Sequence, residues 1–178
     1  MPENPYARIL AALKKSGADF VVIGLSGINF YADAADHAFS TGDCDLLAAP
    51  RTENLLKILK ALTRAGYELV SNGEPLGAAD AWLAGKIIER RAVVSATRGP
   101  ALMLDIVIDG GGIPYPQWRR HAKPFLVQGA RILVGSLPDL LAAKENAGRD
   151  KDRKFLELYR IHLKEMLKSS ASRRKKRT

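Results

Sequence analysis

Thr41-Gly42-Asp43-Cys44-Asp45-Leu46-Leu47-Ala48 runs from a turn into a short apolar segment and carries two acids one residue apart. On a strand alternate side chains share a face, so Asp43 and Asp45 point the same way while Cys44 and Leu46 point into the core. Two carboxylates held that close repel each other and cost stability unless a cation lies between them. A divalent ion with oxygen ligands, Mg²⁺ or Mn²⁺, removes that cost and needs few protein carboxylates when phosphates supply other ligands.

A third acid lies in Leu102-Met103-Leu104-Asp105-Ile106-Val107-Ile108-Asp109. Asp105 is mid-strand in an apolar run, where an unpaired charge is expensive. Two readings are open on this pattern alone. In one, Asp43 ends a turn, Asp45 caps a strand and Asp105 pairs with a lysine or arginine. In the other, all three bind metal. Asp109 shares a face with Asp105 but adjoins Gly110-Gly111-Gly112, and reads as a turn residue. Asp-x-Asp also occurs in glycosyltransferases and in phosphohydrolases that form an aspartyl phosphate. There the apolar strand usually comes before the acids. Here it follows them, which disfavours both.

Upstream, Asp19-Phe20-Val21-Val22-Ile23-Gly24 reads as a buried strand closed by glycine. Leu25-Ser26-Gly27 then leads into a helix, expected from Ser26 to about Ala38. Free N–H groups at a helix start suit phosphate oxygens, and glycine lets the backbone come close. Earlier still, Pro5 suits the first turn of a helix containing Ile9, Leu10 and Leu13. Downstream, Thr52 is placed as the cap of a helix with Leu55, Leu56, Leu59 and Leu62 on one face and Gly66 at its end. A strand is expected near Tyr67–Val70. Residues 86–96 and 101–109 then read as a strand pair joined at Arg98-Gly99-Pro100. After an irregular stretch with Pro114, Pro116 and Trp118, a strand near Ala130–Val134 leads to helices at about 137–147 and 151–168. Trp82 and Trp118 read as packing residues. The three histidines, His37, His121 and His162, have no metal-ligand spacing.

The whole is an α/β (α+β) domain: a mixed sheet flanked by helices, with a core at about 18–135 and a helical C-terminal portion at about 136–168. At 178 residues it fits one domain with a real core. A lone cysteine, Cys44, rules out an intramolecular disulfide and fits a reducing compartment. No apolar run approaches the roughly 20 residues of a membrane span, and no apolar signal stretch opens the chain. A soluble, cytoplasmic protein without membrane contact is expected. The net charge of +9 is unevenly spread. Residues 164–178 hold seven Lys and Arg against one Glu, leaving a body of about +3. Residues 169–178 are expected to be a basic, disordered tail, either without a specific role or a helper for RNA or other polyanions.

Together, Ile23-Gly24, Asp43-Cys44-Asp45-Leu46 and Leu104-Asp105-Ile106 resemble the signature of the nucleotidyltransferase superfamily related to DNA polymerase beta. Thr-x-Asp-x-Asp at Thr41–Asp45, followed by the helix at 52–65, looks most like its small prokaryotic branch, which includes the AbiEii-type toxins. Lys144-x4-Arg149 with Asp152 is similar to a motif in those toxins. By its spacing from Leu137 and Leu140, Lys144 lies on an apolar helix face. There it either pairs with Asp152 or reaches into the cleft to hold triphosphate. The chain departs from the family pattern at Leu25, where Gly or Ser is usual, and at Phe39, where an arginine is often found.

The resemblance implies transfer of a nucleoside monophosphate from an NTP to an acceptor hydroxyl. Asp43, Asp45 and Asp105 would be the catalytic and metal-binding residues, while Gly24, Ser26, Gly27 and Lys144 would hold the nucleotide. RNA, a protein or a small molecule are open as acceptor, and a cognate antitoxin is an implied partner. The alternative is a degenerate transferase that binds nucleotide, RNA or a protein partner without turnover.

Overall fold

The computed structural model describes residues 4–34, 37–99 and 102–175. Among these, eight strands form one mixed sheet. They are β1 (Phe20–Ile23), β2 (Asp43–Ala48), β3 (Glu68–Ser71), β4 (Glu74–Pro75), β5 (Val94–Arg98), β6 (Leu102–Val107), β7 (Lys123–Val127) and β8 (Ala130–Val134). Their spatial order is β4-β3-β5-β6-β2-β1-β8-β7. β2 runs parallel to β6 and β1 parallel to β8. The remaining neighbours are antiparallel.

Eight helices cover the sheet among the described residues: α1 (Ala7–Lys15), α2 (Gly24–Asn29), α3 (Thr52–Arg64), α4 (Ala81–Arg90), α5 (Tyr115–His121), α6 (Leu137–Ala147), α7 (Asp150–Leu158) and α8 (Arg160–Lys175). Strand alternation divides the core in two. Val22, Cys44, Leu46, Leu104 and Ile106 face a layer containing Leu10 and Leu13 of α1 and Leu55, Ile58, Leu59 and Leu62 of α3. Val21 and Leu47 face the other layer, with Ile28, Trp118, Leu137, Leu140 and Leu163. Asp43 and Asp45 precede Leu47 by four and two residues, so they share this second face.

Several expected elements differ. α3 does begin at Thr52, but Thr52 is no cap: Arg51 holds that position without a side-chain bond. Asn54 instead anchors the helix, bonding Asp19 N, Asp19 O and Ala49 O, which ties the entry of β1 to the exit of β2. The first part of the expected strand 86–96 is helical. Asp80 accepts a bond from Leu83 N at 2.8 Å, and the apolar residues Ala84 and Ile87 of α4 then fall on one buried face. The helix expected over Ser26–Ala38 starts earlier and stops at Asn29. There the Asn29 amide exchanges two 2.8 Å bonds with the Phe39 backbone, holding the loop down. Part of that expected span, residues 35–36, lies outside the described residues.

The stretch with Pro114 and Pro116 is ordered as α5, with its proline at the helix start where a missing N–H costs nothing. Trp118 packs at 0% exposure and donates Nε1–H to Gly110 O, as a packing residue should. Trp82, by contrast, is 71% exposed on α4. The C-terminal helices break at Tyr159. α8 then continues through Lys175, so the basic segment from Ser169 that reads as disordered is helical as far as Lys175. Lys, Arg and Ala favour helix even without an apolar face. Residues 176–178 lie outside the described residues.

Candidate metal centre

β2 and β6 lie side by side in parallel register, with Asp45 opposite Asp105 and Asp43 opposite Met103. Because side chains alternate, Asp43, Asp45 and Asp105 converge on one face. Their carboxylate oxygens fall within 4.8 Å of one another, and all three are partly exposed. The salt-bridge alternative for Asp105 is not what the structure shows. Its hydrogen-bond donor is Ser95 Oγ at 2.6 Å, on β5 directly across the ladder. Asp43 accepts from Thr41 Oγ1 at 2.8 Å. Each of these two acids therefore has one oxygen held by a hydroxyl and keeps the other for a ligand.

Asp45 is the most enclosed electrostatically. Burial pushes its carboxyl up to about 6, with further upward pressure from Asp43 and Asp105 and an opposing pull from Lys144 and Arg149. A raised carboxyl pKa means the folded protein holds a proton that the unfolded chain gives up. The contribution of Asp45 to stability is therefore fully present below about pH 4 and is lost as pH rises through about 6. A divalent cation competes with that proton. Its affinity should strengthen as pH rises through about 6 and level off above, an expectation that Mn²⁺ titration by calorimetry between pH 5 and 8 checks.

Gly24 is the residue that lets the backbone approach this cluster. Its φ is +65°, and a Cβ there would lie 1.8 Å from Asp45 Oδ2. Gly24→Ala should displace the Asp45 carboxylate and add about 1–2 kcal/mol of backbone strain. The expected result is weakened Mn²⁺ binding and a lower melting temperature. A variant with wild-type Mn²⁺ affinity would show that the contact is unimportant.

The other residues read from the sequence as nucleotide-binding occupy different situations. Ser26 is buried, and its hydroxyl donates to Ile23 O at 3.3 Å. Gly27 is a packing glycine, whose Cβ would meet Leu140 Cδ2 at 3.1 Å. Lys144 lies near enough to Asp45 to affect it, yet its Nζ pairs with Asp152 Oδ1 at 3.1 Å and sits 5.0 Å from the Phe155 ring centroid. Arg149 Nε bonds the other Asp152 oxygen at 2.5 Å. One buried acid thus holds two cations at the edge of the carboxylate cluster.

Phe39, at the family position often taken by arginine, stacks edge-on against Phe155 and Tyr159, each at 4.8 Å between centroids. This cluster packs the loop that leads into Asp43 against α7. Sequence alone did not point to Ser95. Its signal was the hairpin register: Arg98 opposite Leu102 pairs residues whose numbers sum to 200, which sets Ser95 against Asp105. Cys44 is fully buried and its thiol is pushed up to about 12 by burial, so it remains a protonated core residue.

No protein-family model matches the chain, and no curated protein does. Among solved structures it is similar to an antigenic nucleotidyltransferase-like protein from Paracoccidioides brasiliensis. The TM-score is 0.51 at 14% identity, over 83% of this chain and 67% of that one. The fold is nucleotidyltransferase-like, as the family resemblance implied. No described helix is long and apolar enough to cross a membrane.

Proposed function

We propose that this chain is a metal-dependent nucleotidyltransferase, moving a nucleoside monophosphate from an NTP to an acceptor hydroxyl with release of pyrophosphate. The observation that supports this best is the convergence of Asp43, Asp45 and Asp105 oxygens within 4.8 Å on neighbouring strands. The donor set fits Mg²⁺ or Mn²⁺: all three ligands are hard carboxylate oxygens, and Gly24, with no Cβ to collide with Asp45 Oδ2, lets that carboxylate join the cluster. When bound, such ions would offset the mutual repulsion of the carboxylates and supply Lewis acidity to the acceptor and phosphate oxygens.

The chain's own groups divide the remaining work. Asp43 and Asp45 would hold the ions that accompany the triphosphate. Asp105, oriented by Ser95 through one oxygen, would face the acceptor with the other and take its proton. Lys144 and Arg149 would meet phosphate oxygens, joined by backbone N–H groups of Gly24–Gly27. With its hydroxyl engaged by Ile23, Ser26 would contribute through its backbone. The Thr41–Asp45 layout and the Lys144, Arg149 and Asp152 set favour the AbiEii-type toxin branch. A cognate antitoxin would then be a partner, with RNA, a protein or a small molecule as acceptor.

A second reading, nucleotide or RNA binding without turnover, draws on the buried Ser26 hydroxyl and on Lys144 being held by Asp152. Mass spectrometry after incubation with Mg²⁺, each NTP and a cell extract separates the two. The transferase reading expects one component to gain the mass of a nucleoside monophosphate, and expects that gain to vanish in Asp45→Asn. NTP binding with no adduct on any component selects the second reading.

A further inference from the structure

Next to Thr41, between the start of α1, the α2 segment and the β7–β8 turn, lies a cavity of about 490 Å³. Tyr6, Phe30, Phe39 and Val127 contribute much of its wall, with Ser40 and Thr41 at one side. Its lining contains no charged residue among the described ones, in a chain that is 26% charged. Arg8 instead lines a smaller neighbouring cavity of about 270 Å³. Several polar groups of the wall already have partners. Tyr6 OH donates to Gly42 O at 3.3 Å, Asn29 is used by the Phe39 backbone, and Ser26 is used by Ile23 O. A phosphate or carboxylate placed here would lose its water and find no cation, a cost of several kcal/mol.

The carboxylate cluster is therefore flanked by two unlike environments. On the Asp45 side stand Lys144 and Arg149, which suit a polyanion. On the Asp43 side stands Thr41, which lines the neutral cavity and bonds the Asp43 carboxylate at 2.8 Å. A transfer reaction with an NTP has one highly charged substrate and one other. We infer that the cavity seats the body of the acceptor, a neutral, largely apolar small organic alcohol whose hydroxyl enters the carboxylate cluster past Thr41. This assignment rests on the transferase reading above. In the step it serves, the acceptor O–H gives its proton to the Asp105 carboxylate. Its oxygen bonds to the α-phosphorus of the NTP, and the bond from that phosphorus to the bridging oxygen breaks, so that pyrophosphate leaves with the electron pair.

Two probes of the same shape test this: naphthylmethanol, which is neutral, and naphthoate, which is an anion. Each is titrated by ligand-observed NMR against the full chain without metal or NTP. The alcohol should saturate at about millimolar concentration or below, as befits a small apolar ligand. The anion should bind roughly tenfold more weakly or not at all. Ser40→Trp, which fills the mouth from an exposed position, should abolish alcohol binding at an unchanged melting temperature, with Ala38→Phe as a second filling variant. Mn²⁺ added to the wild-type complex should then relax the hydroxymethyl protons faster than those of the far ring, and Mg²⁺ should not. Equal binding of both probes, no alcohol binding, binding that survives both filling variants, or Mn²⁺ relaxation without preference for the hydroxymethyl group would each overturn the assignment. A wild type that fails to bind Mn²⁺ at all would instead defeat the transferase reading beneath it. The metal-free titration keeps those two failures apart.

Discussion

Asp105→Asn is expected to cut nucleotidyl transfer by roughly 100- to 10,000-fold while sparing most of the NTP affinity. In the proposed scheme Asp105 acts on the acceptor oxygen, so its contribution is largest in the transition state rather than in the bound ground state. The fold should not suffer. Asp105 is bonded by a neutral hydroxyl, Ser95 Oγ, and an asparagine oxygen can accept the same bond. The substitution also removes one of the negative charges that press the Asp45 carboxyl upwards. The melting temperature of the metal-free protein at pH 7 should therefore hold or rise. Had Asp105 neutralised a buried base, the same change would lower stability by about 3–5 kcal/mol. Melting temperature, NTP binding and transfer measured on this one variant discriminate: a marked loss of stability, or undiminished transfer, contradicts the assigned role.

The second large effect concerns Asp152. It is 2% exposed and accepts bonds from both Lys144 and Arg149. Burial pushes its carboxyl up, but the Arg149 and Lys144 bonds outweigh that and leave it below the usual range. Asp152→Ala strands Lys144, whose side chain is only 14% exposed, whereas Arg149 at 58% can turn to water. A loss of about 3 kcal/mol is expected, with most of it from the lysine. Because the folded-state pKa is depressed, this stabilisation is present above about pH 4 and fades as pH falls below that. Triphosphate offers the stranded cations another partner. NTP should therefore raise the melting temperature of Asp152→Ala by more than it raises that of the wild type. A thermal denaturation series with and without NTP checks both statements. A change within about 0.5 kcal/mol, the usual range for a surface site, would mean that the buried pair is energetically idle.

The three acids were legible in the sequence because period-two alternation and an apolar setting make a charged residue conspicuous. Asp43-x-Asp45 shares a face by spacing alone, and Asp105 stood out against Leu104 and Ile106. α6 was equally plain, since Ser136, Pro138 and Gly148 mark its ends chemically. Where competing patterns overlapped, the sequence misled. Ile87 and Ile88 can belong to a strand or to a helix face, and the Asp80 cap decides for the helix. α5 and β7 were hidden by Pro114, Pro116 and Pro124, which look like loop punctuation until the first two are placed at a helix start and the third on an edge strand. Contacts between distant segments left no local trace. Ser95 meets Asp105 only through strand register, and Phe39 meets Phe155 only because α7 folds back over it. The fate of Ser26 was hidden for a related reason: a hydroxyl at a strand–helix turn can face either a ligand or the preceding carbonyl, and here it bonds Ile23 O.

The central claim is that Asp43, Asp45 and Asp105 form one divalent-cation site serving an NTP, and Mn²⁺ titration of wild type and Asp45→Asn tests it most directly. At pH 8, above the Asp45 value of about 6, the wild type should bind Mn²⁺ with a Kd of about 1 mM or tighter, and more tightly when NTP is present. Saturation should raise the melting temperature through linkage, by about 2.7 kcal/mol of stability at a hundredfold excess over Kd. Asp45→Asn should remain folded and lose both the binding and the rise. A wild type whose calorimetric trace and melting curve ignore millimolar Mn²⁺ with NTP, or an Asp45→Asn variant that binds as well as the wild type, would contradict the claim.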